Sequence, residues 1–383
     1  MRILALEPWY GGTHRRFMDG LVRNSTHEIR LLSLEARFLP WRVQGSAVTL
    51  ADRALQLASQ GYRPDLLFAS SLVNLPVFLA LTRHVWPDVP TVLYFHDNLL
   101  VERHSEPDSH DRSFGYIHFA SALIADRLVF NSDFHRSDFL GQLPNLLRAY
   151  PDHNHLDEVG RIQDRSTTVY PGLNLIDLEP LAAAYPPHPW GPAMPPPIIL
   201  WNDPWDADHD PAAFFRVMNR LDDIGMPFRL ILAGEGFQEQ PAEFDRAFQR
   251  YASRILHYGY ADDFESYARL LHRADLVVST ARHAYFSPRM LEAIHAGCHP
   301  LLPDRYCFPE IIPAGLHRPL LHAAALYADE DDLFKQLLAI LRSQERPLPP
   351  DTLRAMHAHL DWERQVSAFD ALFDEVGPTQ RRF

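Results

Sequence analysis

Lysine, cysteine and long apolar runs are nearly absent from this sequence of 383 residues. Lys335 is the only lysine, so arginine, histidine or backbone amides must bind any phosphate group. Cys298 and Cys307 are too few for a metal cluster or a disulfide framework, which favours a cytoplasmic protein. No apolar run reaches the roughly 18 residues of a membrane helix, and the first predicted strand follows Met1 without a leader. We therefore expect neither a membrane span nor a secretory signal.

An excess of basic residues is also missing, because the net charge is −13. This charge argues against a protein that coats nucleic acid, which needs a broad basic surface. Residues 1–180 hold 17 arginines and 21 acidic residues, so they are closer to charge balance than the remainder. We expect any anionic partner to bind a local patch on this half. The candidate patch consists of Arg15, Arg16, Arg37, Arg42, Arg103 and Arg112.

Short aliphatic runs alternate with longer amphipathic stretches along the whole chain, which is typical of βα units and parallel sheets. The pattern predicts an α/β protein with two doubly wound, Rossmann-like domains whose strand ends face one cleft. Proline crowds the stretch 181–197 and predicts an extended linker. We therefore expect a first domain at 1–180, a second at 198–351, and a helical segment at 352–383 that packs back on the first domain.

In the first domain, the segment EPWYGGTHRRF places Gly11 and Gly12 where a strand turns into a helix. Their amides could approach a phosphate or an acceptor, although a tight structural turn would have the same sequence. The strand TVLYF then runs into His96, Asp97 and Asn98. An imidazole beside a carboxylate can position a hydroxyl group or move a proton, while Asx capping of the next loop is the alternative. Asn131 and Ser132 end another strand, where either Ser132 or Asp133 could instead cap a helix.

In the second domain, two glycines close the strand at Ala233–Gly236. A later strand ends at Ser279–Thr280, and a helix begins near Ser287 with Pro288 in its first turn. The free amides at such a helix start predict a diphosphate site. Glu292 lies one turn further on and could bind both ribose hydroxyls of a nucleotide, or it could be an ordinary surface glutamate.

The ordered set of these motifs resembles the tRNA-queuosine α-mannosyltransferase family over most of the chain. The segments that carry the resemblance are EPWYGGTH, Pro40-Trp41-Arg42, LYFHDN, GYIHFASALIADRLVFNS, Pro151-Asp152-His153, PWDADHDP and MLEAIHAGC with FPEI. The resemblance implies a retaining glycosyltransferase of the GT-B architecture that uses GDP-mannose and acts on queuosine in tRNA. It implies that His96 and Asp97 are catalytic and lie, with Gly11–Gly12, near the reacting sugar, and that Glu292 binds the ribose.

We extend the expected site to two further groups of residues. The donor is expected to contact Gly11, Gly12, Arg282, His283, Ser287, Arg289 and Glu292. The acceptor is expected to contact Thr13, His14, Arg42, Asn98, Asn131 and Ser132. We expect no cofactor, no structural metal and no protein partner.

The chain departs from the family pattern at four positions of the donor site. Pro204 and His209 stand where an arginine and a lysine would hold the diphosphate, and Ala284 and Ser287 replace a glutamate and a glycine. Arg282 and Arg289 are the favoured replacement cations, because guanidinium binds phosphate bidentately. A divalent ion could instead bind the acidic loop that contains Asp203, Asp206, Asp208, His209 and Asp210. A donor without a diphosphate is a third solution.

These departures leave two alternatives to a mannosyltransferase. One is a GT-B module that binds nucleotide or RNA without turnover. The other is a glycosyltransferase with a changed donor and a small-metabolite acceptor.

Overall fold

The computed structural model describes residues 1–101, 112–186, 189–234, 242–317 and 324–378. Arg103, Glu235 and Gly236, which were named above, lie outside these ranges. Chain contacts divide the protein into two compact units. The first comprises Met1–Leu173 and the chain from Trp362 onward, and the second comprises Asn174–Asp361. The sequence analysis predicted that the first domain ends at residue 180 and the second at residue 351, with a linker at 181–197 between them.

The first unit contains a six-stranded parallel sheet with the strand order β2-β1-β3-β4-β5-β6. Its strands are β1 Arg2–Tyr10, β2 Glu28–Glu35, β3 Leu66–Ser70, β4 Thr91–Phe95, β5 Arg127–Phe130 and β6 Ser166–Thr168. Its first helices are α1 Gly12–Asn24, α2 Leu39–Ser59, α3 Leu75–Thr82, α4 Arg112–Ile124, α5 Asp133–Arg148 and α6 Glu158–Asp164.

The second unit contains another six-stranded parallel sheet, with the order β12-β11-β10-β7-β8-β9. Its strands are β7 Ile198–Trp201, β8 Arg229–Ala233, β9 Ile255–Gly259, β10 Leu276–Val278, β11 His299–Pro303 and β12 Leu326–Tyr327. Its helices are α7 Glu179–Ala184, α8 Pro211–Asp223, α9 Ala242–Tyr251, α10 Phe264–Arg273, α11 Pro288–His295, α12 Phe308–Ile311, α13 Glu330–Ser343 and α14 Pro350–Met356. The α/β class and the parallel sheets expected from the sequence are confirmed.

Both faces of the first sheet are buried, because successive side chains of a strand point to opposite sides. Leu4 and Leu6 of β1 belong to the core on one face, whereas Ile3 and Ala5 belong to the core on the other. Such a strand reads as a continuous apolar run, which explains why these strands were recognisable in the sequence.

The last helix, α15 (Trp362–Val376), packs on the first sheet beside α1. The ring of Trp362 lies so close to Gly20 and Gly172 that a Cβ atom at either glycine would overlap it. The first unit is therefore built from both ends of the chain. In the part of the chain that the structure describes, no helix has the length and apolarity to cross a membrane.

Candidate functional site

The polar cluster of the first unit lies at the carboxyl edge of its sheet, where α/β proteins build their sites. His96, Asp97 and Asn98 follow β4, and Asn131 follows the neighbouring β5. The side-chain amide of Asn131 donates a hydrogen bond to the carbonyl oxygen of His96 at 3.1 Å. The register of β4 against β5, in which Phe95 pairs with Phe130, brings the two loops together.

His14 lies between two carboxylates at this edge. Its Nδ1 atom is 3.2 Å from Oε2 of Glu7, and its Nε2 atom is 3.2 Å from Oδ2 of Asp97. Burial opposes a charge on this imidazole, but the two carboxylates outweigh burial and raise the pKa of His14 to about 10. His14 is therefore a buried cation at neutral pH, and it holds Asp97 in place.

His96 lies against this cation. The ring centroids of His96 and His14 are 4.2 Å apart, and the rings of Phe17 and Tyr94 contact His96 edge-on. Burial and the adjacent His14 charge lower the pKa of His96 well below its ordinary value. The Nε2 atom of His96 is buried and has no hydrogen-bond partner among the described residues. The site thus sets a neutral imidazole, whose Nε2 atom has no partner among the described residues, beside the carboxyl group of Asp97.

Three residues that we expected to contact the acceptor are used within the fold. Asn98 donates to Asp138 and accepts from the amide of Leu100, which is the Asx arrangement named as the alternative. Ser132 caps α5 by accepting a hydrogen bond from the amide of His135. The side chain of Asn131 forms hydrogen bonds with both the carbonyl oxygen of His96 and the Nδ1 atom of His135. All three side chains are buried, and the hydrogen bonds given above hold the neighbouring loops and helix in position.

The turn at Gly11–Gly12 leads directly into α1. Gly12 has a φ of +51°, which favours glycine, and a Cβ atom at Gly11 would lie 2.6 Å from the Cβ atom of Ala36. No side chain caps the helix start, and its first turn contains no acidic residue. The first amides of α1, including that of Thr13, are therefore available to a ligand. Arg42 lies near this turn and donates from Nε to the carbonyl oxygen of Glu35.

One group of side chains in the described ranges has the spacing to hold a metal ion, and it consists of Glu7, His14 and His96. Both nitrogens of His14 already face carboxylates, so a metal ion there would displace one of these contacts.

The acidic loop of the second unit is held by its own hydrogen bonds. Asp206 accepts from the backbone amide and Nδ1 of His209. Asp210 caps α8 and accepts two hydrogen bonds from the guanidinium of Arg282. Thr280 donates to the carbonyl oxygens of both His209 and Asp210. Arg282, one of the two favoured replacement cations, is therefore already paired with a carboxylate.

Arg289, the other favoured cation, lies in the first turn of α11. Among the described residues its side chain forms no hydrogen bond or ion pair. It acts electrostatically on Asp203 and His209, which places the three groups near one another. Burial lowers the pKa of His209, but the hydrogen bond with Asp206 and the nearby carboxylates outweigh burial and raise it overall. Arg289 and His209 thus lie near one another, with Arg289 in the first turn of α11.

The remaining donor-side residues surround the same helix start. Ser287 is the N-cap of α11 but makes no side-chain capping bond, so the first amides of the helix stay available. The ring of His283 contacts the ring of Tyr306 at 5.5 Å between centroids.

Glu292 is buried within the second unit and is only 1% exposed. The alternative of an ordinary surface glutamate is therefore wrong. Its Oε2 atom accepts a hydrogen bond from the hydroxyl of Tyr267 at 2.8 Å, and that hydroxyl accepts one from Asn202. A buried carboxylate with hydroxyl and amide partners can exchange those partners for the hydroxyls of a ligand.

Two contributors to these sites, Glu7 and Tyr267, were not found from the sequence. The available signal for Glu7 was a single carboxylate in the otherwise apolar run before Gly11. Tyr267 gave no local signal, because its partner Glu292 lies on a different helix, 25 residues away.

Comparison with solved structures defines the class of protein. Sucrose-phosphate synthase from Thermosynechococcus elongatus superposes with a TM-score of 0.71, covering 98% of this chain and 99% of that one at 13% identity. The Anabaena protein HepE, in complex with UDP and glucose, gives a TM-score of 0.65, covering 98% of this chain and 100% of that one at 12% identity. The fold is that of the GT-B glycosyltransferases.

Comparison with sequences defines the family. Residues 2–173 match the N-terminal domain of tRNA-queuosine α-mannosyltransferases. The Drosophila melanogaster tRNA-queuosine α-mannosyltransferase is 30% identical over 319 residues, which are 81% of this chain and 81% of that protein. The chain belongs to the tRNA-queuosine α-mannosyltransferase family, and it is a glycosyltransferase. The resemblance drawn from the motifs is confirmed.

Proposed function

We propose that this chain transfers mannose from GDP-mannose to a hydroxyl of queuosine in tRNA, with retention of the anomeric configuration. The observation that carries the proposal is the 30% identity over 319 residues to a tRNA-queuosine α-mannosyltransferase. The proposed reaction forms a bond from the acceptor oxygen to the sugar C1 atom. The bond from C1 to the diphosphate oxygen breaks on the same face, and the departing diphosphate takes the acceptor proton.

The first unit supports this chemistry through His96 and Asp97. Sugar hydroxyls need both hydrogen-bond donors and acceptors, and a neutral imidazole beside a carboxylate supplies them. The Nε2 atom of His96 lacks a partner among the described residues, so a hydroxyl or a water molecule would satisfy it. We assign His96 and Asp97 to the reacting sugar, and Glu7 and His14 to positioning Asp97.

The second unit supports a nucleotide donor. The start of α11 offers free amides and Arg289, with His209 nearby, and these groups would stabilise the charge that develops on a departing diphosphate. A protein of the same fold has been determined with UDP and glucose. We assign Arg289 and His209 to the diphosphate and Glu292 to the ribose. No metal ion enters this scheme.

The main alternative is a module that binds its ligand without turnover. It is favoured by Ala284 and Pro204, which occupy positions where the family pattern has a glutamate and an arginine.

The test uses the cis-diol of queuosine. Boronate retards tRNA with a free cis-diol on a gel, and glycosylation of one hydroxyl removes that retardation. We expect queuosine-containing tRNA to lose the retardation when it is incubated with the protein and GDP-mannose, and queuosine-free tRNA to remain unchanged. Release of GDP without loss of retardation would indicate a different acceptor. Absence of both GDP release and transfer across a panel of nucleotide sugars would favour the non-catalytic module.

A further inference from the structure

Two large aromatic side chains are exposed at the start of α2 in the first unit. Phe38 is 74% exposed and Trp41 is 62% exposed. Single exposed aliphatic residues are common on protein surfaces, but two neighbouring exposed aromatic rings are a feature of binding surfaces. We call Phe38 and Trp41 the aromatic step.

The ring of Trp41 is supported by its own helix. A Cβ atom at Gly45, one turn along α2, would lie 2.8 to 2.9 Å from three atoms of the indole. Glycine weakens a helix interior, so its presence there carries a cost that alanine would avoid. The absence of a Cβ atom lets the indole lie over the helix while most of the residue stays exposed. The helix therefore presents a supported aromatic surface.

Phe38 completes the step through an unusual backbone conformation. Its φ of +56° and ψ of +62° lie in the left-handed region, which a phenylalanine rarely adopts. This conformation places Phe38 just before the first turn of α2, where its side chain stays exposed.

Two arginines flank the step. Arg37 forms an exposed ion pair with the side chain of Glu35. Arg42 donates from Nε to the carbonyl oxygen of Glu35. An exposed ion pair contributes little stability and exchanges readily for another anion. The step therefore combines aromatic faces with guanidinium groups, which is how proteins bind single-stranded nucleic acid.

The step is continuous with the candidate site of the first unit. Tyr10 pairs with Glu35 in the sheet, and the turn at Gly11 touches Ala36. Leu39 and Leu99 both pack against the small buried cluster that contains Val43, and Leu99 is close in sequence to His96 and Asp97. A partner on the step would therefore lie beside the edge of the sheet that carries the sugar-side residues.

We propose that the aromatic step binds an unpaired base of the tRNA anticodon loop by stacking, while Arg37 and Arg42 contact the adjacent phosphates. The inference rests on the proposed function, and it adds a surface that distinguishes tRNA from the free nucleoside. A base next to queuosine is the occupant, because the acceptor nucleotide itself must reach His96 and Asp97.

The experiment compares Trp41→Ala and Phe38→Ala with the parent protein on two acceptors, queuosine-containing tRNA and queuosine nucleoside. Losing one stacked base lowers affinity roughly 5- to 150-fold. We expect each variant to lower kcat/KM for tRNA within that range and to change kcat/KM for the nucleoside much less. Phe248→Ala is the matched control, because Phe248 is an exposed aromatic residue of the second unit. An equal loss on both acceptors would overturn the proposal and indicate a structural role.

A third variant, Gly45→Ala, tests the supported ring without deleting it. The added methyl group displaces the indole while alanine favours the helix, so we expect weaker transfer to tRNA with no loss of thermal stability. Unchanged transfer to tRNA by all three variants would show that the step does not bind RNA.

Binding of a fluorescent anticodon stem-loop separates failure of this inference from failure of the proposed function. If the parent protein transfers no sugar to tRNA, the proposed function fails, and weaker stem-loop binding by Trp41→Ala still supports the step. Equal stem-loop binding by parent and variant overturns the step. The other possible occupant of the aromatic step is a second copy of the chain, and sedimentation of the parent and of Trp41→Ala tests it. A parent dimer that dissociates in Trp41→Ala would identify a self-association surface.

Discussion

The Nδ1 atom of His14 lies 3.2 Å from the Oε2 atom of Glu7, a carboxylate that is fully buried within β1. A buried charge is costly unless it is paired, and here each group makes the other tolerable. The other nitrogen of His14 faces Asp97, so the pair also connects the sheet interior to the proposed sugar site.

The raised pKa of His14 predicts a loss of stability at alkaline pH. The folded pKa is about 10 and the ordinary value is 6.5. A pKa that is raised by folding contributes stability fully below 6.5, and the contribution is lost as pH rises towards 10. We expect the Tm to fall across this interval, and to fall earlier in Glu7→Gln because the partner charge is gone. Glu28→Gln, an exposed change on β2, should follow the parent curve. Identical pH profiles for Glu7→Gln and the parent would contradict a charged His14.

Removing the Glu7 side chain entirely should be more severe. Glu7→Ala leaves the imidazolium without its buried partner, and breaking a buried pair costs about 3–5 kcal/mol. Chemical denaturation should show this loss, whereas a value under about 1 kcal/mol would mean that solvent replaces the carboxylate.

His96 should affect transfer and leave donor binding unchanged. Positioned groups that handle protons contribute about 10²- to 10⁴-fold to rate, so we expect His96→Ala to lower kcat for transfer within that range. Binding of GDP, measured by calorimetry, should be unaffected because the proposed nucleotide site belongs to the second unit. The control is His84→Ala, an exposed histidine that follows α3. A loss of GDP affinity equal to the loss of kcat would place His96 in the nucleotide site instead.

Much of the fold could be predicted because the inner strands of both sheets are buried apolar runs, as in β3, β4 and β7. The predicted strand TVLYF coincides with β4. The apolar run of the first strand ends at Leu6, but β1 continues to Tyr10 and pairs there with Glu35 of β2. Glu7 interrupts the apolar pattern, and the sequence does not show that His14 neutralises it.

The candidate site was predictable where it follows directly from a strand end, as for His96 and Asp97. It was not predictable where the partner comes from a distant segment. Arg282 reads as a free cation in the sequence, but the fold pairs it with Asp210, 72 residues away. Glu292 reads equally well as a surface residue, and its burial depends on Tyr267 and Asn202.

Because Arg282 is paired with Asp210, we expect Arg289 to contribute more than Arg282 to diphosphate binding. Arg289 forms no ion pair with a carboxylate among the described residues, although Asp203 lies near it, so its guanidinium can bind a diphosphate without breaking a salt bridge. A hydrogen bond to a charged group contributes about 1.5–3 kcal/mol, so Arg289→Ala should weaken GDP binding roughly 10- to 150-fold. Arg282→Ala should weaken it less. Chelation of divalent ions should leave the parent affinity unchanged, and a loss of binding with chelator would transfer the role to the acidic loop.

His209 adds a pH dependence to the same site. Its pKa is raised, so the imidazolium persists to higher pH than usual and should support the diphosphate in that range. As pH rises through the raised pKa, the charge is lost and GDP affinity should fall. His209→Lys should extend strong binding to higher pH, and His209→Gln should bind weakly at every pH. A parent affinity that stays constant as the pH rises above 6.5, the ordinary pKa of histidine, would exclude His209 from the diphosphate site.

Tyr267 and Glu292 provide the sharpest test of the ribose assignment. The hydroxyl of Tyr267 donates a hydrogen bond to the Oε2 atom of Glu292, and a ribose hydroxyl would have to replace it there. Glu292→Gln removes the charge that ribose hydroxyls favour, so we expect GDP to bind roughly 10-fold more weakly. Tyr267→Phe removes this one hydrogen bond from the carboxylate, so we expect the free protein to lose stability and GDP to bind at least as tightly as to the parent. We therefore expect Glu292→Gln, but not Tyr267→Phe, to weaken GDP binding, although each variant changes one partner of the same hydrogen bond. If Tyr267→Phe weakened GDP binding as much as Glu292→Gln, the pair would be a structural contact, and the ribose would have to bind elsewhere.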